Sequence, residues 1–412
     1  MTTTITGMGA VSSLGVGVAA LAEGLKHGHV GVRRLQLGEW PDLVSPRWAA
    51  LAPELNGADV SARLTALLPS VADRARKVLR GVRRSLGLGV LAAAEALVMA
   101  GRMATDDDEQ LGLVVAGTNL FAGYAATMTG RLSDGAARPD ARYGFEMLDS
   151  HAVGVLSAVF GCRGPGTTVG AASASGLAAV VAAVDMLAAG RAAACLVVGL
   201  PVDFGRAEWA GLDLIGGLAD DRRIGDGPAS RPFDVSASGF VPGEAAAALL
   251  LERIRPSASL ARIAAAELVL DGTHLPSPSL DGETRVMRRA LAAAGTAPVD
   301  VDLVSAHATS TPLGDKVEAD ALAAVFAEVP GILVNAAKGL LGHALNTAGL
   351  VETVAVLIQM RDGFVHPNVG LVDPVRPLPY AGPKAVRRPV RRAMKTAFGF
   401  GGFNAAVILE AS

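Results

Sequence analysis

The 412-residue chain has two cysteines, Cys162 and Cys195, and an aromatic content of 4%. Two thiols cannot build a multi-bridge disulfide framework, and no spacing of His, Cys and Asp matches a metal-ligand set. No metal and no permanently bound cofactor is expected. Both cysteines lie in mostly apolar stretches and read as small buried hydrophobes. An excess of either charge is also missing: 37 Lys and Arg against 39 Asp and Glu leave a net charge of −2. No global pull on nucleic acid follows from that balance. The apolar region 178–198 is broken by Asp185 and Arg191, which argues against a membrane span. The start, Met1-Thr2-Thr3-Thr4, lacks the basic region of a secretory leader and runs straight into a strand-like segment. These absences point to a cytoplasmic protein with neither nucleic acid nor membrane as partner.

What is present is a hydrophobic content of 51% with 49 glycines. Small side chains in that number suit closely packed helices. By length alone the chain could hold two or three domains. Short apolar runs at 113–116, 195–198, 246–251, 303–305, 332–334 and 405–409 read as strands. They alternate with helical runs at 88–99, 177–189, 282–293, 316–326 and 347–360. That alternation predicts an α/β fold. A seam at 252–259, containing Pro256, lies past the middle and suggests a duplicated α/β unit. Segments 40–73 and 130–150 read as irregular excursions outside the core. One basic stretch gathers Arg74, Arg76, Lys77, Arg80, Arg83 and Arg84. It reads as a solvated helix face or as a docking patch for an acidic partner, with no stacking aromatics interleaved.

Three motifs carry chemistry. In Gly170-Ala171-Ala172-Ser173-Ala174-Ser175-Gly176 a run of small residues joins a strand-like 167–169 to a helix. Free N–H groups and partial positive charge at a helix start stabilise an anionic oxygen there. The same place suits an ordinary serine N-cap. The second motif is His307-Ala308-Thr309-Ser310-Thr311-Pro312-Leu313-Gly314-Asp315, and the third is Lys338-Gly339-Leu340-Leu341-Gly342-His343. Two histidines, each inside a motif of small residues, with a lysine five positions before the second, point to a catalytic pair. The chain closes on Phe398-Gly399-Phe400-Gly401-Gly402.

This order resembles the β-ketoacyl-acyl carrier protein (ACP) synthases of the thiolase superfamily, from Ile5-Thr6-Gly7-Met8-Gly9 to the last strand. The resemblance implies a five-layered α-β-α-β-α sandwich built from two similar thiolase-like halves, residues 1–255 and 256–412. It implies that Ser173 stands where the family carries the cysteine that accepts the acyl group. A thiol there, with a pKa near ~8.5 lowered by a helix start, supplies a thiolate; a serine hydroxyl is a weak nucleophile without a base. Slow or absent condensation is therefore expected. The resemblance gives His307 and His343 the task of donating hydrogen bonds to the thioester oxygen of a malonyl group as carbon dioxide leaves. It ties Lys338 to Glu318 of the Gly314-Asp315-Lys316-Val317-Glu318 motif as geometric support. Thr309 and Thr311 match hydroxyls that hold the carrier's phosphopantetheine arm. Phe400 matches a gate whose N–H, with that of residue 173, forms a second oxyanion hole. Ala308, Phe403, Asn346 and Thr347 depart from the family pattern of Gly, Thr and a Gly-Ala pair.

Three uses fit such a chain. The first is a ketosynthase-like malonyl-ACP decarboxylase of polyketide β-branching cassettes, which segments 149–161, 170–176 and 198–203 resemble. The second is a chain-length-factor-like subunit of a type II heterodimer, which Phe240-Val241-Pro242-Gly243-Glu244 and Gly401-Gly402-Phe403-Asn404 resemble. The third is a serine acyltransferase on ACP-bound acyl groups, with a histidine as general base for Ser173. The first is the leading expectation, with an acyl carrier protein as partner and a homodimer as assembly; the second predicts a heterodimer.

Overall fold

The structure, a computed structural model, describes residues 2–36, 47–102, 108–135, 138–224, 227–253, 259–326 and 328–412. Its frame is ten strands. The first half supplies β1 (Thr3–Ser12), β2 (Leu111–Ala116), β3 (Gly166–Val169), β4 (Ala194–Gly199) and β5 (Ala245–Arg253). The second supplies β6 (Ala261–Leu270), β7 (Leu303–Ser305), β8 (Leu333–Asn335), β9 (Arg392–Gly399) and β10 (Phe403–Ala411). The order in the first half is β1-β5-β4-β2-β3 and in the second β6-β10-β9-β7-β8. In both, the first two pairings are antiparallel and the last two parallel. Strand for strand, the second half repeats the first. The two sheets join where Thr3–Ile5 of β1 pairs with Ala261–Ile263 of β6.

Side chains alternate across each sheet and so feed two layers at once. On β2, Leu111, Leu113 and Val115 enter the outer core with α1 (Arg84–Met99) and α2 (Ser150–Phe160), while Val114 and Ala116 enter the central core. The central layer is α3 (Ser175–Ala188) together with α6 (Ala348–Asp362). On the far side, α4 (Leu280–Ala294) and α5 (Pro312–Phe326) pack on Val304, Val334, Met394 and Ile408. The result is the five-layered α/β sandwich. Both central helices are buried nearly all round, and only small residues let them cross. A Cβ on Gly176 would stand 2.6 Å from the Leu350 nitrogen, and one on Gly349 2.9 Å from the Leu177 nitrogen.

The expected helices and strands are present with shifted ends. The helix expected at 316–326 begins at Pro312, because proline at the first helical position loses no hydrogen bond. The strand expected at 332–334 runs Leu333–Asn335. The excursions are less irregular than expected. Helix Gly57–Leu67 starts on a capping box in which Asn56 and Asp59 satisfy each other's N–H groups. Its Val60 and Leu64 enter the outer core. Helix Ala122–Ser133 reaches into the second excursion. Residues 40–46 and 136–137 of those segments, and the seam at 254–258, lie outside the described residues.

The basic stretch does not form one solvated face. It runs through helix Ala72–Val78, a turn and the start of α1. Arg83 stacks 3.4 Å over the Tyr124 ring, and Arg84 pairs with Glu244 at 2.8 Å. Arg76, Lys77 and Arg80 are exposed. Two of the six, Arg83 and Arg84, therefore hold the fold together. Among the described residues no helix is long and apolar enough to cross a membrane.

Candidate active site

The repeated halves deliver the same device twice. A 3₁₀ turn, Ala172–Ala174, leads into α3, and another, Leu345–Thr347, leads into α6. The first residue of each has φ +47, a left-handed conformation that non-glycine residues rarely hold. Ser173 and Asn346 are thus equivalent residues of the two halves, and both line one cavity of about 540 Å³. Ser173 does not cap the helix. Ser175 braces the turn instead, accepting from the Ala171 N–H at 2.8 Å and donating to the Ala172 carbonyl at 2.6 Å. That leaves the Ser173 hydroxyl free to meet His343, with Oγ 2.9 Å from Nε2.

His307 and His343 line the same cavity, their rings edge to face at 5.5 Å between centroids. Burial pushes both imidazoles well below the ordinary range, and the positive charges of Lys338 and Lys395 push them further. Both rings are neutral near pH 7. The surroundings also assign the protons. Nζ of Lys338, which can only donate, lies 3.4 Å from Nδ1 of His307, so the His307 proton sits on Nε2. Nδ1 of His343 is buried and has no hydrogen-bond partner among the described residues. An orphaned buried N–H is rarer than an orphaned acceptor, so this ring too carries its proton on Nε2, facing Ser173.

The backbone around His307 is held from several sides. Glu318 accepts the N–H groups of His307 at 2.8 Å and Ala308 at 2.6 Å, and the Thr396 hydroxyl at 2.9 Å. Asp315 accepts the N–H groups of Thr309, Ser310 and Phe233 at 2.9, 3.1 and 2.7 Å. Burial raises the Asp315 carboxyl to about 7. These contacts fold the turn that brings the Thr309 and Thr311 hydroxyls together at 2.8 Å on the cavity wall. Phe400 lines the cavity and is 46% exposed. Its turn lies against that of Ser173, since a Cβ on Gly399 would stand 2.3 Å from the Ala171 carbonyl. Among the departures, Asn346 donates to the Thr118 carbonyl at 3.2 Å and Thr347 to that of Leu200 at 2.6 Å.

One expected contact is corrected. Lys338 is not tied to Glu318. Its ion pair is with Glu352 on α6 at 2.5 Å, and it donates to the His307 carbonyl at 2.5 Å. Glu318 is occupied by the two N–H groups that flank the histidine position, which a carboxylate binds without needing a lysine. Motif reading missed Glu352 and Lys395, both buried and 2.6 Å apart. Their signal was a charged residue inside an otherwise apolar stretch, where an unpaired charge is costly. Glu283 was missed as well. It borders the cavity, its buried Oε2 has no partner among the described residues, and burial, reinforced by Glu318, Asp271 and Asp315, raises its carboxyl well above the usual range. Among the described residues no three His, Cys, Asp or Glu side chains converge as metal ligands.

Two neutral imidazoles beside the start of a buried helix line one cavity, an arrangement that can stabilise a developing oxyanion. The chain's match to known families agrees. Residues 3–256 match the β-ketoacyl synthase N-terminal domain and residues 260–372 its C-terminal domain. The chain belongs to the β-ketoacyl synthase family. Over 315 residues, 74% of each chain, it is 33% identical to the polyketide biosynthesis malonyl-ACP decarboxylase PksF of Bacillus subtilis (strain 168). It is 30% identical to the mitochondrial 3-oxoacyl-[acyl-carrier-protein] synthase of Arabidopsis thaliana, covering 98% of this chain and 92% of that one. A β-ketoacyl synthase from Burkholderia phymatum STM815 superposes with a TM-score of 0.85 at 25% identity, over 100% of this chain and 99% of that one. The ishigamide ketosynthase/chain length factor superposes at 0.84, with the same identity and coverage. The fold is the thiolase fold of these ketosynthases.

Proposed function

We propose that this protein is a ketosynthase-like decarboxylase that converts malonyl-ACP to acetyl-ACP in polyketide biosynthesis, with little or no condensing activity. The observation that carries the reading is the pairing of Ser173 with two intact, neutral, proton-bearing histidines. The site keeps the groups that stabilise an enolate and lacks the thiol that would hold an acyl chain.

In this reading the carrier's phosphopantetheine arm runs past Thr309 and Thr311, and the malonyl thioester lies beside the imidazoles. The thioester oxygen takes the place of the Ser173 hydroxyl on His343 and meets the N–H of His307. The bond to the carboxylate breaks, carbon dioxide leaves, and the electron pair moves into an enolate. The two Nε2–H groups meet the charge on its oxygen, each such donor contributing roughly 2.7–4 kcal/mol. A proton then adds to carbon and acetyl-ACP results. Asp315, Glu318 and Lys338 hold the geometry; Phe400 gates the entrance, its N–H joining that of residue 173 as a second oxyanion hole.

The protein acts as a cytoplasmic homodimer in this reading. The relative named as a malonyl-ACP decarboxylase supports the decarboxylase activity. Likeness to the ishigamide ketosynthase/chain length factor favours a chain-length-factor-like subunit of a heterodimer as the second reading. Retention of both histidines in the cavity weighs against that role. The short Ser173–His343 contact favours a serine acyltransferase, but a ring that donates through Nε2 cannot also take the serine proton there. Incubating the purified protein alone with malonyl-ACP and reading the carrier by intact mass tests the proposal. Conversion to acetyl-ACP supports it; unchanged malonyl-ACP moves the chain-length-factor reading first.

A further inference from the structure

Beneath the two imidazoles lies a second lysine that the catalytic motifs do not include. Lys395, on β9, is fully buried. Its Nζ stands 2.6 Å from Oε2 of Glu352 and donates to the carbonyls of Ser305 at 3.2 Å, Ala306 at 3.1 Å and Thr396 at 2.6 Å. Lys338 stands at Oε1 of Glu352 and takes the next carbonyl, that of His307. Three successive carbonyls, 305 to 307, thus point at two ammonium groups that share one carboxylate. Glu318 holds the N–H groups of His307 and Ala308.

Burying two ammonium groups against one carboxylate carries a large desolvation cost. One lysine is enough to neutralise Glu352, and neutral donors could satisfy the carbonyls that end β7. Lys395 adds a second ammonium beneath the two imidazoles, faced by the carboxylates of Glu352 and Glu318, and its charge acts on both rings. We propose that Lys395 is a positioning residue: it fixes His307 through the carbonyls before it and supplies a positive field that keeps both imidazoles neutral donors and favours the enolate. Its consequence for rate rests on the decarboxylase reading; its effect on the imidazoles does not.

The charged and titratable groups around Lys395 are Glu352 on α6, Lys338, Glu318 on α5, and the three buried imidazoles of His307, His343 and His366. Burial brings the Lys395 ammonium down to about 8. As pH rises through that value the ammonium loses its proton and the field weakens, so an alkaline fall in kcat is expected.

The test uses the full chain, with Lys395→Met beside the wild type. Two sets of data are read: kcat and KM on malonyl-ACP from about pH 6 to about pH 10, and the imidazole ¹⁵N shifts by NMR from about pH 3 to about pH 8. The wild type should lose kcat above about pH 8 at constant KM. Lys395→Met should have a kcat about tenfold lower at neutral pH, less than the loss of a direct donor, and no such limb. Its His307 should titrate at higher pH than in the wild type, because a nearby positive charge has gone. If the methionine variant does not fold, Lys395→Gln keeps a donor for the carbonyls and removes the charge. A wild-type kcat that stays flat to about pH 10 overturns the proposal. So does a folded variant with wild-type kcat and unchanged imidazole titration. If the wild type makes no acetyl-ACP, the decarboxylase reading fails, and the titrations alone still decide the role of Lys395.

Discussion

Replacing His307 by alanine isolates the chemical step, because the contacts that hold its backbone do not involve its ring. Glu318 would keep the N–H groups of residues 307 and 308, and Lys338 and Lys395 would keep the carbonyls of residues 305 to 307. Lys338 loses only its long 3.4 Å contact to Nδ1 and retains Glu352. The loop should stay in place while one neutral donor disappears from the enolate. At roughly 2.7–4 kcal/mol per aimed donor, kcat should fall about 10²- to 10³-fold. His343→Ala should behave alike. KM should change little, since a contact that strengthens only as charge develops contributes little to ground-state binding. The assay is the initial rate of acetyl-ACP formation by intact mass, with circular dichroism to confirm the fold. Ser173→Ala is the control: the enolate is held by the histidines, so less than about tenfold should be lost. A dead Ser173→Ala alongside active histidine variants would show that the assigned roles are wrong.

Three further outcomes follow from the same site. Ser173→Cys should restore measurable acyl transfer from acetyl-ACP, read as a covalent mass increase on the protein; complete failure would show that the pocket, beyond the missing thiol, rejects the acyl chain. Both imidazoles lie well below their ordinary range, so kcat should show no acid limb near about pH 6.5; a limb there would mean that one of them is protonated in the working enzyme. The Glu283 carboxyl is raised in the folded state, which therefore binds more protons than the unfolded chain. Stability is fully retained below the ordinary carboxyl range and falls as pH climbs from there towards the raised folded value. Glu283→Gln should remove that fall, giving a higher Tm than wild type near about pH 8 and little difference near about pH 4; equal Tm curves would show that the carboxyl carries no such burden.

The local sequence determined the kinds of chemistry and their order along the chain. A serine in a tight turn before a helix, two histidines among small residues and a closing glycine-rich turn are local patterns, and their spacing survives into the fold. The alternation of strands and helices was legible for the same reason, since each element's period is set by neighbours a few residues apart. Helix Gly57–Leu67 was missed although its Asn56–Asp59 capping box stood in the sequence, because its apolar face is narrow and its surroundings rich in proline and glycine. Only the tertiary structure decided which charge meets which. Lys338 joins Glu352, fourteen residues on and in another helix, rather than Glu318. Lys395 arrives from the far end of the chain to share that carboxylate. Arg83 and Arg84 turn inward although their neighbours suggested a continuous basic face. Spacing cannot reveal such pairings. A buried charge takes whatever partner the packing of two repeated halves brings within reach, and the same packing sets how far each imidazole is desolvated.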